Sequence, residues 1–130
     1  MENQEVIFRL GMMEQQMQQL QQQFEAVEKG IAELNSLREG LNEINGSEGK
    51  EIFARIGRGI YAKAKITSEE LMVNVGENNL VNKSVADTRG LIEEQIKRLH
   101  DVRQELENNI DETNNELLAL MKEYEGQKKD

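Results

Sequence analysis

The chain has 130 residues and a formal net charge of −9; 32% of its residues are charged, only 4% are aromatic, and it has no Trp and no Cys. The lack of Cys excludes disulfide staples, thiolate-bound zinc, iron–sulfur clusters and a cysteine nucleophile. So few aromatics beside so many Glu, Gln, Leu and Lys argue against an ordinary compact globule and for long helices with a narrow apolar seam.

The charge is unevenly spread. Residues 1–49 hold three bases against nine acids (−6), residues 50–84 six against four (+2), and residues 85–130 seven against twelve (−5). Acidic flanks repel phosphate backbones and anionic lipid, so neither nucleic acid nor a membrane surface is an expected partner. The opening Met1-Glu2-Asn3-Gln4-Glu5 lacks the cationic and apolar regions of a secretory leader, and no apolar run has membrane-spanning length. The expectation is a cytoplasmic protein.

From about Asn3 to Ile44 the apolar residues are Val6, Leu10, Met13, Met17, Leu20, Phe24, Val27, Ile31 and Leu34, at alternating steps of four and three. This a/d heptad pattern predicts a coiled-coil helix about 60 Å long at 1.5 Å per residue. Past Leu34 the strict step falls on Arg38, whereas Leu37, Leu41 and Ile44 carry the pattern on in a shifted phase. That predicts a stammer, a local overwinding near the helix end. The Gln-rich run from Glu14 to Phe24 keeps the seam phase, so its glutamines read as the solvated face.

Helical periodicity stops at Asn45-Gly46-Ser47-Glu48-Gly49. Between Ile52 and Ser84 the period is two: Ile52, Ala54 and Ile56, then Ile60, Ala62, Ala64 and Ile66, then Leu71, Val73 and Val75. These predict strands with one buried face. The turn signals Gly57-Arg58-Gly59 and Glu77-Asn78-Asn79 make them two β-hairpins, joined by Thr67-Ser68-Glu69-Glu70. Two hairpins of this size do not form a stable free-standing sheet, and their open edges need another surface. This is the sequence's strongest argument for oligomerisation. The bases Arg55, Arg58, Lys63, Lys65 and Lys83 serve either to protect strand edges or to pair with acidic partner subunits.

A second helix opens at Ser84-x-x-Asp87, a capping box with Asp in place of Glu or Gln. Its seam is Ile92, Ile96, Leu99, Leu106, Ile110, Leu117, Leu120 and Tyr124, with Arg103 and Thr113 at two seam positions. It is expected to end near Glu125-Gly126, leaving Gln127-Lys128-Lys129-Asp130 frayed. Two matched seams joined by a short segment pair antiparallel. The predicted fold is therefore mostly α: a long antiparallel two-helix coiled coil with two β-hairpins at its base. The expected organisation is one domain, 1–130, with helices over 1–45 and 85–126 and the assembly segment over 50–84.

No constellation supports an enzyme. Gly57-Arg58-Gly59-Ile60-Tyr61-Ala62 fits G-x-G-x-x-A, but a strand follows where dinucleotide binding needs a helix. His100 is the single histidine and lacks companion metal ligands. Adjacent acids such as Glu93/Glu94 diverge by about 100° on a helix and have no cleft to share. No cofactor is expected.

Where the first helix begins and the second ends, a two-helix seam needs only Val6, Leu10 and Met13 against Leu117, Leu120 and Tyr124. Ile7, Phe8, Met12, Leu118 and Met121 exceed that need. The excess serves either a wider local seam or a promiscuous surface that touches many partners.

Ile56-Gly57-Arg58-Gly59-Ile60-Tyr61-Ala62-Lys63-Ala64, Val73-Asn74-Val75-Gly76 and Leu80-Val81-Asn82-Lys83, set between two coiled-coil helices, closely resemble alpha-class prefoldin subunits. Beta-class subunits have one hairpin, so the two hairpins favour alpha. The chain departs from the family at Ala54-Arg55, where Val-Pro is frequent, and at Glu77-Asn78-Asn79. The resemblance implies a hexamer of two alpha and four beta subunits whose hairpins build β-barrels. Its coiled-coil tips would capture unfolded polypeptide without ATP and deliver it to a group II chaperonin. It implies assembly roles for Ile52, Ile56, Gly57, Gly59, Ile60, Val73, Val75 and Gly76. Client-facing roles would fall to Ile7, Leu10, Met12, Met13, Leu117, Leu118, Met121 and Tyr124. A filament-forming scaffold of the same family is the alternative.

Overall fold

The computed structural model describes the backbone of residues 2–129 and the side chains of residues 3–126. The elements run α1 (Glu2–Ile44), β1 (Glu51–Gly57), β2 (Ile60–Lys65), β3 (Leu71–Asn74), β4 (Leu80–Lys83) and α2 (Val85–Lys129). The chain divides into two compact units, one of residues up to Ala32 with those from Arg98 onward, the other Glu33–Lys97.

In the first unit α1 and α2 run antiparallel. Glu28 lies 4.0 Å from Arg103, and Gly30 lies against Leu99, so the partner number falls as the α1 number rises. Every seam residue from Val6 to Ile31 is buried or half-buried, as are Leu99, Leu106, Ile110, Leu117, Leu120 and Tyr124. Thr113 is buried at 5% exposure and Arg103 half-buried, so two of the α2 seam positions are polar. Polar residues in a seam lower stability but fix register, because a slipped pairing would strand them against apolar neighbours. Gly30 marks a close approach: a Cβ there would stand 3.3 Å from Leu99 Cδ1.

The second unit holds the core cluster Leu41, Val85, Ile92 and Ile96, with Leu34, Ile44 and Leu71 packed on it. The apolar pattern predicts that the seam shifts through Leu37, and the structure shows that it does not. Leu37 is 51% exposed, while Arg38 is half-buried and Leu41 buried. The four-three step therefore continues through Arg38, whose aliphatic stem can cover the seam while its guanidinium reaches water. The phase changes only at Ile44, the last helical residue.

Past Ile44 the chain turns at Gly46, where φ is 77°. The buried Ser47 donates its hydroxyl to the Ile44 carbonyl, and the Gly46 N–H donates to the Glu69 carboxylate. The segment between the hairpins is thereby tied to the end of α1.

β1 and β2 pair antiparallel from Glu51↔Lys65 to Arg55↔Tyr61, with a register shift between Arg55 and Gly57 before Gly57↔Ile60. The loop is Arg58-Gly59 with φ of 44° and 79°. Two consecutive positive φ values belong to a type I′ turn, whose twist matches that of the strands. β3 and β4 pair from Leu71↔Lys83 to Asn74↔Leu80. Their turn repeats the device with Glu77 (φ 49°) and Asn78 (φ 62°), closed by the Asn79 N–H on the Gly76 carbonyl at 2.9 Å. The hairpins form two separate two-stranded sheets.

The Ser84 hydroxyl accepts the Asp87 N–H at 3.0 Å, which is the expected N-cap of α2. The helix runs past Gly126 to Lys129, beyond its expected end. One glycine costs only about 1 kcal/mol of helix propensity, too little to stop a helix already nucleated over its whole length. Asp130 lies outside the described residues.

Gly30→Leu should lower the thermal midpoint followed by far-UV circular dichroism, because the added side chain displaces Leu99. Gly11→Ala, with no neighbour within 4 Å, should raise stability by about 0.5–1 kcal/mol.

Candidate functional site

Two apolar surfaces are left uncovered, one in each unit. On the first hairpin one face carries Ile52, Ala54, Ala62 and Ala64, and the other carries Glu51, Phe53, Arg55, Tyr61, Lys63 and Lys65, as the cross-strand pairs dictate. The alternation predicts that the Ile/Ala face is buried. In the single chain Ala54, Ala62, Ala64 and Ile66 are half-buried, but Ile52, Ile60 and Ile56 are exposed, Ile56 at 71%. Two strands are too narrow to cover their own face, and no third strand is supplied by the other hairpin.

The opposite face holds two aromatics that the period-two count passes over, Phe53 (72% exposed) and Tyr61. Phe53 stands across from Lys63, and Tyr61 across from Arg55. Both residues were legible as large apolar side chains on the face assigned to solvent. Glu51 and Lys63 approach to 3.4 Å with both side chains about two-thirds exposed, a pair that adds little stability.

On the second hairpin Val73 is half-buried opposite Val81, while Val75, Met72 and Leu80 are exposed. Leu71 anchors this hairpin to the core cluster. The glycines assigned to assembly hold the turns: Gly59 at φ 79° and Gly76 at φ 131° in backbone regions that side chains resist, and Gly57 where the register shifts. A cleft of about 620 Å³, lined by Gly40, Ile44, Ile52, Ile66 and Leu71 among others, opens between the end of α1 and the first hairpin.

The second surface lies in the first unit, where α1 begins and α2 ends. Of the eight residues expected to face clients, Ile7, Met12, Leu118 and Met121 are exposed, whereas Leu10, Met13, Leu117 and Tyr124 are half-buried in the seam. Phe8, at 68% exposure, is the most open apolar residue here. It points away from the seam, two residues past Val6, so it adds nothing to helix pairing. A wider local seam would cover these five side chains; they are instead open. Arg9 lies beside Met13, Glu116, Leu120 and Glu123, leaving one base among acids at the rim.

Among the described residues, no group of three or more His, Cys, Asp or Glu could hold a metal ion, and no helix is long and apolar enough to cross a membrane. His100 is exposed.

A two-helix antiparallel coiled coil interrupted by a pair of β-hairpins is a distinctive architecture, and the comparisons agree with it. The family model for prefoldin subunits matches residues 13–129. Prefoldin subunit alpha of Methanobrevibacter smithii is 32% identical over 93 residues, covering 71% of this chain and 64% of that protein. Prefoldin subunit alpha 2 of Thermococcus kodakarensis is 34% identical over 79 residues, covering 60% and 56%. The match thus spans less than two thirds of these two relatives. Prefoldin subunit alpha of Thermofilum pendens is 31% identical over 110 residues, covering 83% of this chain and 82% of that protein. A chain in the cryo-EM structure of filamentous PFD from Methanocaldococcus jannaschii shares the fold, with a TM-score of 0.74 at 22% identity over 92% of this chain and 98% of that one. The chain belongs to the prefoldin family, as an alpha-class subunit.

Replacing Ile56 and Ile60 with Ser should keep the helical content of the chain yet reduce its assembly, read as a shift to smaller mass by light scattering after size exclusion. Gly59→Val should do the same by straining the type I′ turn.

Proposed function

We propose that the chain is a subunit of an ATP-independent holdase, in which the hairpins join it to other subunits and the apolar ends of its helices hold unfolded polypeptide. The observation that carries this reading is the set of open side chains Ile7, Phe8, Met12, Leu118 and Met121, apolar and absent from the seam. Folded proteins rarely leave such a cluster in water without a partner for it. Flexible Met side chains suit a surface that must fit many shapes.

One such end binds weakly. Burying about 100 Å² of apolar surface is worth about 2–3 kcal/mol before ordering costs. Several ends acting on one client raise the effective concentration and with it the affinity. A holdase of this kind therefore needs assembly, and the exposed hairpins supply the means. In this reading the partners are beta-class subunits, two alpha to four beta. The client is handed to a group II chaperonin, and the compartment is the cytoplasm.

The second reading is a filament-forming scaffold. Its support is the likeness to a chain of a filamentous assembly. It leaves the open helix ends without a role.

Light scattering of a chemically unfolded model protein, diluted without nucleotide into the complex of this chain with a beta-class subunit, separates the two. The holdase reading expects suppression near one complex per client. It also expects that suppression to be lost, with the complex intact, when Ile7, Phe8, Met12, Leu118 and Met121 are replaced by Ser. An intact complex that suppresses nothing, or long polymers of this chain alone, would favour the scaffold.

A further inference from the structure

The open apolar end continues into a track of side-chain amides. Phe8, Met12, Gln15, Gln16, Gln19, Gln22 and Gln23 are all exposed on α1, and steps of three and four join them in two interleaved rows, Phe8-Met12-Gln15-Gln19-Gln22 and Met12-Gln16-Gln19-Gln23. That spacing places them in one stripe on the helix surface. From Gln15 to Phe24 no residue is ionisable, in a chain that is 32% charged. The stripe also has a concave stretch: Met12, Gln15, Gln16 and Gln19 line a groove of about 400 Å³, with Arg9 and Glu116 at its rim. The groove thus joins an apolar floor to amides, and its two charges are of opposite sign.

A solvated helix face needs none of this. Glu and Lys are as helix-favouring as Gln and would keep the surface more soluble. An uncharged amide differs from both in being donor and acceptor at once, the same pair of functions that a peptide unit presents. An unfolded chain has apolar side chains to bury and also unpaired N–H and C=O groups, whose desolvation is costly when they are left unmatched.

We infer that the groove and the glutamine track bind the extended backbone of an uncharged, apolar-rich polypeptide, with Gln15, Gln16 and Gln19 exchanging hydrogen bonds with its peptide groups while Phe8 and Met12 take its side chains. Neutrality fits this occupant and no polyanion or polycation: a charged ligand would find no countercharge between Gln15 and Phe24. Backbone recognition is independent of sequence, which is what a binder of many clients requires, and apolar contacts alone would not discriminate extended from collapsed chain. The inference deepens the holdase reading and rests on it.

The test uses the assembled complex and two fluorescently labelled peptides of alternating Leu and Ser. One is unmodified and the other is N-methylated at every Ser, which removes those backbone donors and keeps the side chains. The wild-type complex should bind the unmodified peptide about fivefold more tightly, the equivalent of roughly one net hydrogen bond. The variant with Gln15→Ala, Gln16→Ala and Gln19→Ala keeps helix propensity; it should bind the two peptides within about twofold of each other. A preference equal in wild type and variant, or absent from the wild type, overturns the amide track while leaving apolar capture standing. Failure of the wild type to bind either peptide overturns the capture reading and the track together.

Discussion

A pair of helices has no interior. Each offers one stripe to the other, and any apolar side chain outside the stripe faces water. Among the described residues none is a large side chain below 2% exposure, and the most buried apolar residues, such as Val6 and Leu41, sit in the seam. From this single constraint the rest of the molecule follows. Whatever the chain carries beyond seam requirements must be covered by something else or left open, and apart from the scattered Leu37, Leu91 and Val102 the excess among the described residues falls mainly in two groups. One is Ile52, Phe53, Ile56, Ile60, Tyr61, Met72 and Leu80 on the hairpins; the other is Ile7, Phe8, Met12, Leu118 and Met121 on the helix ends.

The two groups differ in the backbone beneath them. The hairpins bring unpaired strand edges along with their apolar faces, and edges favour a partner with strands of its own. They also carry the chain's basic segment, +2 between acidic flanks, so acidic partner surface is attracted to them. Around Ile7, Phe8, Met12, Leu118 and Met121 the backbone lies inside α1 and α2 and is paired within the helix. Only their side chains are open, and the exposed glutamines follow them on the same helix. On the proposed reading, a durable joint and a reversible grip are served by different secondary structure in one short chain.

Much of this was legible in the sequence. The four-three steps from Val6 to Leu34 mark a coiled-coil seam because no other structure repeats at that interval, and Ser84 with Asp87 marks where α2 begins. Arg58-Gly59 and Glu77-Asn78 mark the hairpin turns. Where the pattern misled, a physical reason can be named. Counting apolar residues chose Leu37 over Arg38, since hydropathy does not register that an arginine stem packs as a hydrocarbon. Counting at period two found Ile52, Ile56 and Ile60 but not Phe53 and Tyr61, since it assumes that only one face of a strand is apolar. Half of the residues that the resemblance sets facing clients, Leu10, Met13, Leu117 and Tyr124, are ones the heptad count sets in the seam, and the structure half-buries them there.

The central claim is that one apolar surface is covered by assembly and the other stays open for clients. Covalent footprinting of the assembled complex, with a short-lived carbene label read by mass spectrometry, tests it directly. The account predicts that Phe53, Ile56, Ile60 and Tyr61 are protected in the complex. It predicts that Ile7, Phe8, Met12, Leu118 and Met121 are labelled there, and become protected when an unfolded protein is added. Protection of the helix ends in the client-free complex, or free labelling of the hairpins within it, would contradict the account.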